Sequence, residues 1–183
     1  MRLSGITPES IVDGPGLRYV IFTQGCLHEC PKCHNPESWD INAGREFSVK
    51  QIIRMIKKQN KTPAGSNTPA ADASRHTVIQ GVTFSGGEPF LQAGELAEVA
   101  LAAHQIGWDV VTYTGYTYEE LVSLSGENSG ISALVNESDI LIDGKYIHKK
   151  RNVGLQFRGS SNQRVINMAE TRKSGNILLW KDT

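Results

Sequence analysis

All three cysteines of this 183-residue chain fall in one stretch, GCLHECPKCHNP, as Cys26, Cys30 and Cys33 with C-x₃-C-x₂-C spacing. Thiols that close together can do three kinds of chemistry. A disulfide would use two, leave the third over, and be unstable in a reducing compartment. A structural zinc ion wants four ligands, and His28 or His34 could complete a set of three thiolates. Thiolates also hold iron–sulfur clusters. On a cubane of four irons, three cysteines would leave one iron without a protein sulfur. Such an open position can take a substrate, as catalytic zinc sites keep a place for water. From spacing alone, the zinc and iron–sulfur readings both stand.

Other segments carry chemistry-bearing groups. Ser85-Gly86-Gly87-Glu88-Pro89 lets backbone approach a ligand closely and offers carbonyls and a carboxylate to an ammonium group. The same residues also read as a capping box, Ser85-x-x-Glu88, opening a helix over Leu91–Ile106. Asp143 and Lys145 flank Gly144 and read either as working groups or as a salt bridge. His34-Asn35-Pro36 and Asp13-Gly14-Pro15-Gly16 have turn composition. Arg158, Ser160, Ser161 and Asn162 offer groups for an anion or a backbone. His104 reads as structural, and His28, His76 and His148 have no second ligand at helical spacing.

The elements that must position these residues follow from the apolar pattern. Tyr19–Thr23, Val82–Phe84, Val110–Tyr113 and Ile140–Ile142 are short β-rich runs of the kind covered on both faces. Between them, Val49, Ile52, Ile53 and Ile56 repeat at helical spacing behind a Ser48 cap. Leu96, Val99, Ala100 and Ala103 do the same, with Gly107 to end the helix. Thr117-x-x-Glu120 is a capping box for a third helix. The order β-α-β-α-β-α-β predicts a parallel sheet with right-handed crossovers. A closed eight-unit barrel takes roughly 200 residues or more, so an α/β fold with a partial, open barrel fits this length better. RVIN (164–167) and NILLW (176–180) are candidate further strands. The whole chain, 1–183, reads as one domain with a polar loop at 60–76. Each functional segment then follows a strand, and all of them converge on one rim.

Lysine plus arginine equals aspartate plus glutamate, 19 each, so the net charge is zero and no polyanionic partner is indicated. The N-terminus has no apolar signal region and no run is long enough to span a membrane, which predicts a cytoplasmic protein.

The motif C-x₃-C-x₂-C at the end of the first of these runs resembles the cluster motif of the radical S-adenosylmethionine (SAM) superfamily. DGPGLRYVIFTQGC before it and CHNPESWD after it resemble the glycyl-radical-enzyme activases. YTGY (113–116), LIDGKY (141–146) and FRGSSNQRV (157–165) resemble one branch, the activating enzymes of anaerobic (class III) ribonucleoside-triphosphate reductase. The resemblance runs from about Ile11 to Val165, apart from the 60–76 loop. It implies a mostly parallel, open radical SAM barrel and a [4Fe-4S] cluster on Cys26, Cys30 and Cys33. It further implies SAM bound at the open iron, with contacts from Lys32, Cys33, His34, Gly86, Gly87 and Glu88. Reductive cleavage of SAM would give a 5′-deoxyadenosyl radical that takes a hydrogen atom from a glycine of the reductase. Asp143 and Lys145 would be linked with that chemistry. The implied partners are the reductase and a reduced flavodoxin-type electron donor, with no nucleic acid and no membrane. One departure is visible: the residue before the third cysteine, often aromatic in related enzymes, is Lys32, which removes ring stacking on adenine there. Two rival readings are a radical SAM enzyme acting on a small molecule and a structural zinc-binding module.

Overall fold

The structure is a computed structural model in which residues 1–60 and 78–181 are described. The chain opens with β1 (Arg2–Ser10), which pairs antiparallel with β2 (Arg18–Thr23). The Asp13–Gly16 bend joins them, in the turn role its composition gives it. After the cysteine stretch come the two-residue β3 (Arg45–Glu46) and α1 (Val49–Asn60). β4 (Gly81–Gly86), α2 (Ala93–His104) and β5 (Asp109–Tyr113) follow. The next crossover contains α3 (Tyr118–Ser125) and α4 (Ser129–Glu137), and leads to β6 (Ile140–Asp143). β7 (Arg164–Asn167) and α5 (Met168–Ser174) complete the described elements.

The seven strands form one open mixed sheet in the order β3-β1-β2-β4-β5-β6-β7. Its centre, β2-β4-β5-β6, is parallel, as the sequence predicts. β1 and β7 add antiparallel neighbours on either side. RVIN is thus a strand, whereas NILLW makes only a single bridge, Leu179 to Ile166. Asn60, expected at the start of the polar loop, ends α1 and accepts a hydrogen bond from Trp108 Nε1 (2.9 Å). The rest of that loop, with His76, lies outside the described residues.

Local chemistry explains the helices. Thr117 and Glu120 form the reciprocal capping box of α3. The Ser48 hydroxyl accepts from Gln51 N–H (3.3 Å) at the start of α1, whose Ile52 and Ile56 are fully buried. Leu96, Val99, Ala100 and Ala103 of α2 are likewise fully buried. The helix expected over Leu91–Ile106 is divided: Pro89–Gln92 is a 3₁₀ turn and α2 begins at Ala93. The Ser85-x-x-Glu88 capping box does not form, because Ser85 is still in β4. Glu88 alone caps the turn, accepting from Phe90 N–H (3.0 Å).

Tyr19, Ile21, Val82, Phe84, Val110 and Leu141 belong to the main core with the helices. Val111, Ile140, Ile142 and Val165 form a smaller core, against which Tyr113, Phe157 and Trp180 pack. Strand side chains alternate in direction, so the two cores lie on opposite faces of the sheet. The ends of the central strands also differ. At their starts, the fully buried Arg18 side chain donates to Val82 O (2.8 Å) and Thr83 Oγ1 (3.1 Å) and pairs with Asp109. Burial pulls the Arg18 pKa down, opposed chiefly by Asp109. The other ends carry the loops described next. Among the described residues, no helix is long and apolar enough to cross a membrane.

Candidate active site

β2 runs into the cysteine loop, and the loop closes on itself. Gly25 N–H donates to Ser38 O (2.8 Å) and Cys26 N–H to Trp39 O (3.1 Å). The Gln24 side chain donates to Glu37 O (3.0 Å) and Asp40 O (2.8 Å), fastening the far end of the loop. Within it, the residue before each cysteine has a left-handed backbone: Gly25 (φ 97°), Glu29 (φ 45°) and Lys32 (φ 60°). Glutamate and lysine rarely adopt this conformation, and such strain clusters at working sites. Alternating backbone handedness of this kind gathers N–H groups into concavities that suit anions. The Cys33 sulfur accepts from Asn35 N–H (3.4 Å), and the backbone N–H groups of His28 and Glu29 favour the thiolate of Cys26, as that of Tyr146 favours the thiolate of Cys30. Burial pushes the Cys26 and Cys30 thiols up, and these N–H groups oppose it.

All three cysteines are free and line one cavity of about 470 Å³. The ends of the parallel strands complete its wall: Ser85–Gly87 at the end of β4, Tyr113–Gly115 at the end of β5 and Gly144 just after β6. The convergence expected from the sequence is therefore present. Gly87 N–H donates to Thr23 O (2.9 Å) and Glu88 N–H to Gly25 O (2.8 Å), so β4 and the cysteine loop are stitched together by backbone. A Cβ on Gly87 would overlap the Gly25 carbonyl. This close approach is what the glycine permits.

Glu88 stands behind the wall, 1% exposed. Its Oε1 accepts from Phe90 N–H (3.0 Å) and Thr114 Oγ1 (2.9 Å). Its Oε2 accepts from Gly115 N–H (2.8 Å) and lies 2.8 Å from His28 Nε2. One carboxylate thus joins the cysteine loop to the loops after β4 and β5. Sequence reading offered Glu88 as an acceptor for a ligand ammonium, but its lone pairs are taken up inside the protein. It weighed His28 only as a zinc ligand, whereas His28 bridges loops. The ring packs edge-on to Tyr116 (4.6 Å between centroids), and a Cβ on Gly115 would overlap it.

The remaining expected residues divide. Cys33 and His34 line the cavity, while Lys32 is exposed outside it, with Nζ 3.5 Å from His148 Nε2. Asp143 is 1% exposed and engaged: it accepts from Tyr118 N–H (2.8 Å) and from Arg164 Nε (3.0 Å), and pairs with the Arg164 guanidinium. Asp143 and Lys145 do not pair with each other. Both line a second, more open cleft beside the first, which also holds Glu119 and Arg164. Arg164 is held protonated well above its ordinary range by Asp143 and Glu119, and in return Glu119 is lowered to about 2.

Three wall residues escaped the sequence reading or were left without a role. Tyr146 stacks on His34 (4.6 Å between centroids) inside the cavity. Its position in LIDGKY, directly after Lys145, was the available signal. Arg158 lines the cavity and donates from Nη1 to Gln163 O (2.8 Å), but its buried Nε has no partner. Tyr113, at the end of β5, has its phenol pushed far up, first by burial and then by Asp13. Among the described residues, no three His, Cys, Asp or Glu side chains are gathered to hold a single metal ion.

Comparison with known proteins agrees with this geometry. Residues 12–166 match a family model described as a 4Fe-4S single cluster domain. The chain is 33% identical over 170 residues to the anaerobic ribonucleoside-triphosphate reductase-activating protein of Salmonella typhi, covering 90% of this chain and 97% of that protein. It is 32% identical over 163 residues to the protein of the same name from Escherichia coli strain K12, covering 86% and 93%. It is also 33% identical over 183 residues to the pyruvate formate-lyase-activating enzyme of Staphylococcus epidermidis, of which it covers 66%.

Proposed function

The chain belongs to the family of anaerobic ribonucleoside-triphosphate reductase-activating proteins, and on that premise we propose that it is a single radical SAM domain that generates a glycyl radical on such a reductase. The observation that carries this reading is the three-cysteine loop opening into the same cavity as the glycine-rich ends of β4 and β5. The match over nearly the whole length of the reductase activators, against two thirds of the formate-lyase activator, favours the reductase as target. The open mixed sheet is what a partial radical SAM barrel would present.

The donor set fits an iron–sulfur cluster. Three free thiols lie on one loop, near backbone N–H groups that favour their anions. Cys26, Cys30 and Cys33 would hold the cluster. When bound and reduced, such a cluster would supply the electron for reductive cleavage of SAM to methionine and the 5′-deoxyadenosyl radical that takes a hydrogen atom from the target glycine. The protein's work is to bind, orient and shield. The backbone of Gly86 and Gly87 receives the ammonium of SAM. Arg158, a cavity-lining cation with an unpartnered Nε, receives its carboxylate. The rings of His34 and Tyr146 stand where an adenine can lie against them, which offsets the missing aromatic at Lys32. Glu88 supports these contacts by fixing three loops. Asp143 holds Arg164 and the start of α3 rather than touching substrate, and Lys145 faces the neighbouring cleft. Ile11, Val12 and Leu27, each at least 70% exposed, give a partner protein an apolar footing on the β1–β2 bend and the cysteine loop. The reaction takes place in the cytoplasm.

The test is anaerobic reconstitution with iron and sulfide, reduction with dithionite, and assay of methionine and 5′-deoxyadenosine. Wild type is expected to bind about four irons and cleave SAM, as four-iron chemistry requires. Cys30→Ala is expected to lose both. A colourless protein carrying one zinc and leaving SAM intact would overturn the reading.

A further inference from the structure

Gly175, in the left-handed region (φ 69°), ends α5 and turns the chain back. Residues 176–180 then lie antiparallel along the outer edge of β7. Asn167 N–H donates to Leu178 O (2.9 Å), Trp180 N–H donates to Val165 O (2.8 Å), and Leu179 bridges Ile166. These bonds fix where the Trp180 indole goes. It packs on the smaller core and meets the Phe157 ring edge-on, with 5.8 Å between centroids and 65° between planes.

Phe157 belongs to a loop that needs such a contact. Arg151 and Ser160 bridge at its base, and Asn152 N–H donates to Gly159 O (3.2 Å). Inside it, Phe157 is left-handed (φ 58°), a conformation that a bulky residue keeps only where its surroundings over-determine it. Gln163 steadies the flank toward β7, its Oε1 accepting from Gly159 N–H (3.0 Å) and Ser160 N–H (3.1 Å). The flank at Phe157 rests on Trp180. Phe157 and Arg158 form a partition: they line the cavity of the cysteines on one side, and on the other a small pocket of about 100 Å³ that Leu179 and Trp180 close. Trp180 itself does not line the cavity. Building on the reading of Arg158 as the receiver of the SAM carboxylate, we propose that Trp180 is a positioning residue for SAM binding. Its indole holds Phe157 in the left-handed conformation and so keeps the neighbouring Arg158 guanidinium in the cavity wall. An edge-on aromatic pair suits this task, because its attraction depends on ring orientation as well as on buried area. Without the indole, the pocket behind the partition opens and Phe157 can relax into it, taking Arg158 away from the ligand.

The test compares the reconstituted full chain with Trp180→Ala, Trp180→Leu and Trp180→Phe. Two ligands are titrated by calorimetry without oxygen: SAM, and decarboxylated SAM, which has nothing for Arg158 to hold. Amide hydrogen exchange of the 152–160 segment is followed in the same proteins. Trp180→Ala is expected to weaken SAM about tenfold, the scale of one charge-assisted contact, and to leave decarboxylated SAM unchanged. The KM for SAM should rise with kcat little altered, and exchange at 155–159 should quicken while β6 and β7 stay protected. Trp180→Leu keeps apolar bulk without a ring and should behave in the same way, which covers an alanine variant that does not fold. Trp180→Phe should restore both SAM affinity and protection. Wild-type SAM affinity in the leucine variant would overturn the proposal. So would an equal loss for the two ligands, which would mean that the cavity as a whole had changed shape. A wild type that binds neither ligand would count against the activase reading instead, while hydrogen exchange would still decide whether Trp180 holds the loop.

Discussion

Glu88 carries more of the site than any other single side chain. Its two oxygens take four donors from three loops at 2.8–3.0 Å, in a place where it is 1% exposed. Hydrogen bonds to a charged group contribute about 1.5–3 kcal/mol each, and an unsatisfied buried partner costs a similar amount. Glu88→Gln would turn an amide N–H₂ toward groups that themselves donate. It is expected to lower stability by about 2–3 kcal/mol, read by denaturant unfolding. It should also lower the iron bound after reconstitution, since His28 no longer pins the cysteine loop. Full stability and full iron content in this variant would show that the carboxylate is dispensable. Arg158→Lys keeps the charge but not the planar fork, so the KM for SAM is expected to rise by about tenfold with little change in kcat. The cysteines were legible at this scale because their chemistry lies in residue type and spacing. The roles of Glu88 and His28 were not, because they depend on which loops a long-range hydrogen bond happens to join.

Among the elements, the four parallel strands were legible because both of their faces are covered, leaving short apolar, β-branched runs. β1 was not. It is only partly buried and contains Ser4, Gly5, Pro8 and Glu9, with irregular register between Leu3 and Gly5 and between Thr7 and Ser10. Such a strand follows no clean alternation. α4 was missed because Asn128 caps it through a single side chain, without the four-residue signature that marked α3. Two predictions belong here. Asp109→Asn leaves the buried Arg18 charge without its carboxylate at the starts of β2, β4 and β5. As Asp109 is half-exposed, the expected loss is about 2–3 kcal/mol in denaturant unfolding, toward the lower end for broken buried pairs. SAM affinity should be unaffected, since this clamp lies at the far end of the strands. The second concerns Glu119, which ties α3 to β7 through Arg164. Its carboxyl is lowered from an ordinary 4.5 to about 2, so the pair stabilises the fold above pH 4.5 and its contribution is lost as pH falls toward 2. Glu119→Gln should flatten that part of the acid-unfolding profile and leave stability near neutral pH only slightly changed, because the pair is exposed.

The whole molecule divides its labour along the strand direction. One end is locked by Arg18 and Asp109; the other collects the cysteine loop and the glycine-rich turns around one cavity. Among the described residues the sheet does not close on itself: β3 and β7 stand at the two ends of the strand order. An open rim suits the proposed reaction on a backbone position of another protein, because a loop of that partner would have to reach the cavity. Sequence pattern gave the α/β class and the convergence of loops. It did not give the antiparallel flanks, because strand direction at a sheet edge is set by pairing partners far along the chain.

The most direct test follows the hydrogen atom. The anaerobic reductase is prepared with glycine deuterated at Cα and mixed with the reduced, reconstituted protein and SAM under anaerobic conditions. The 5′-deoxyadenosine is then examined by mass spectrometry. The expected result is 5′-deoxyadenosine carrying one deuterium, together with a glycyl radical on the reductase detected by electron paramagnetic resonance. SAM cleaved without deuterium transfer and without that radical would contradict the activase function, and would leave an enzyme whose radical is meant for a smaller substrate.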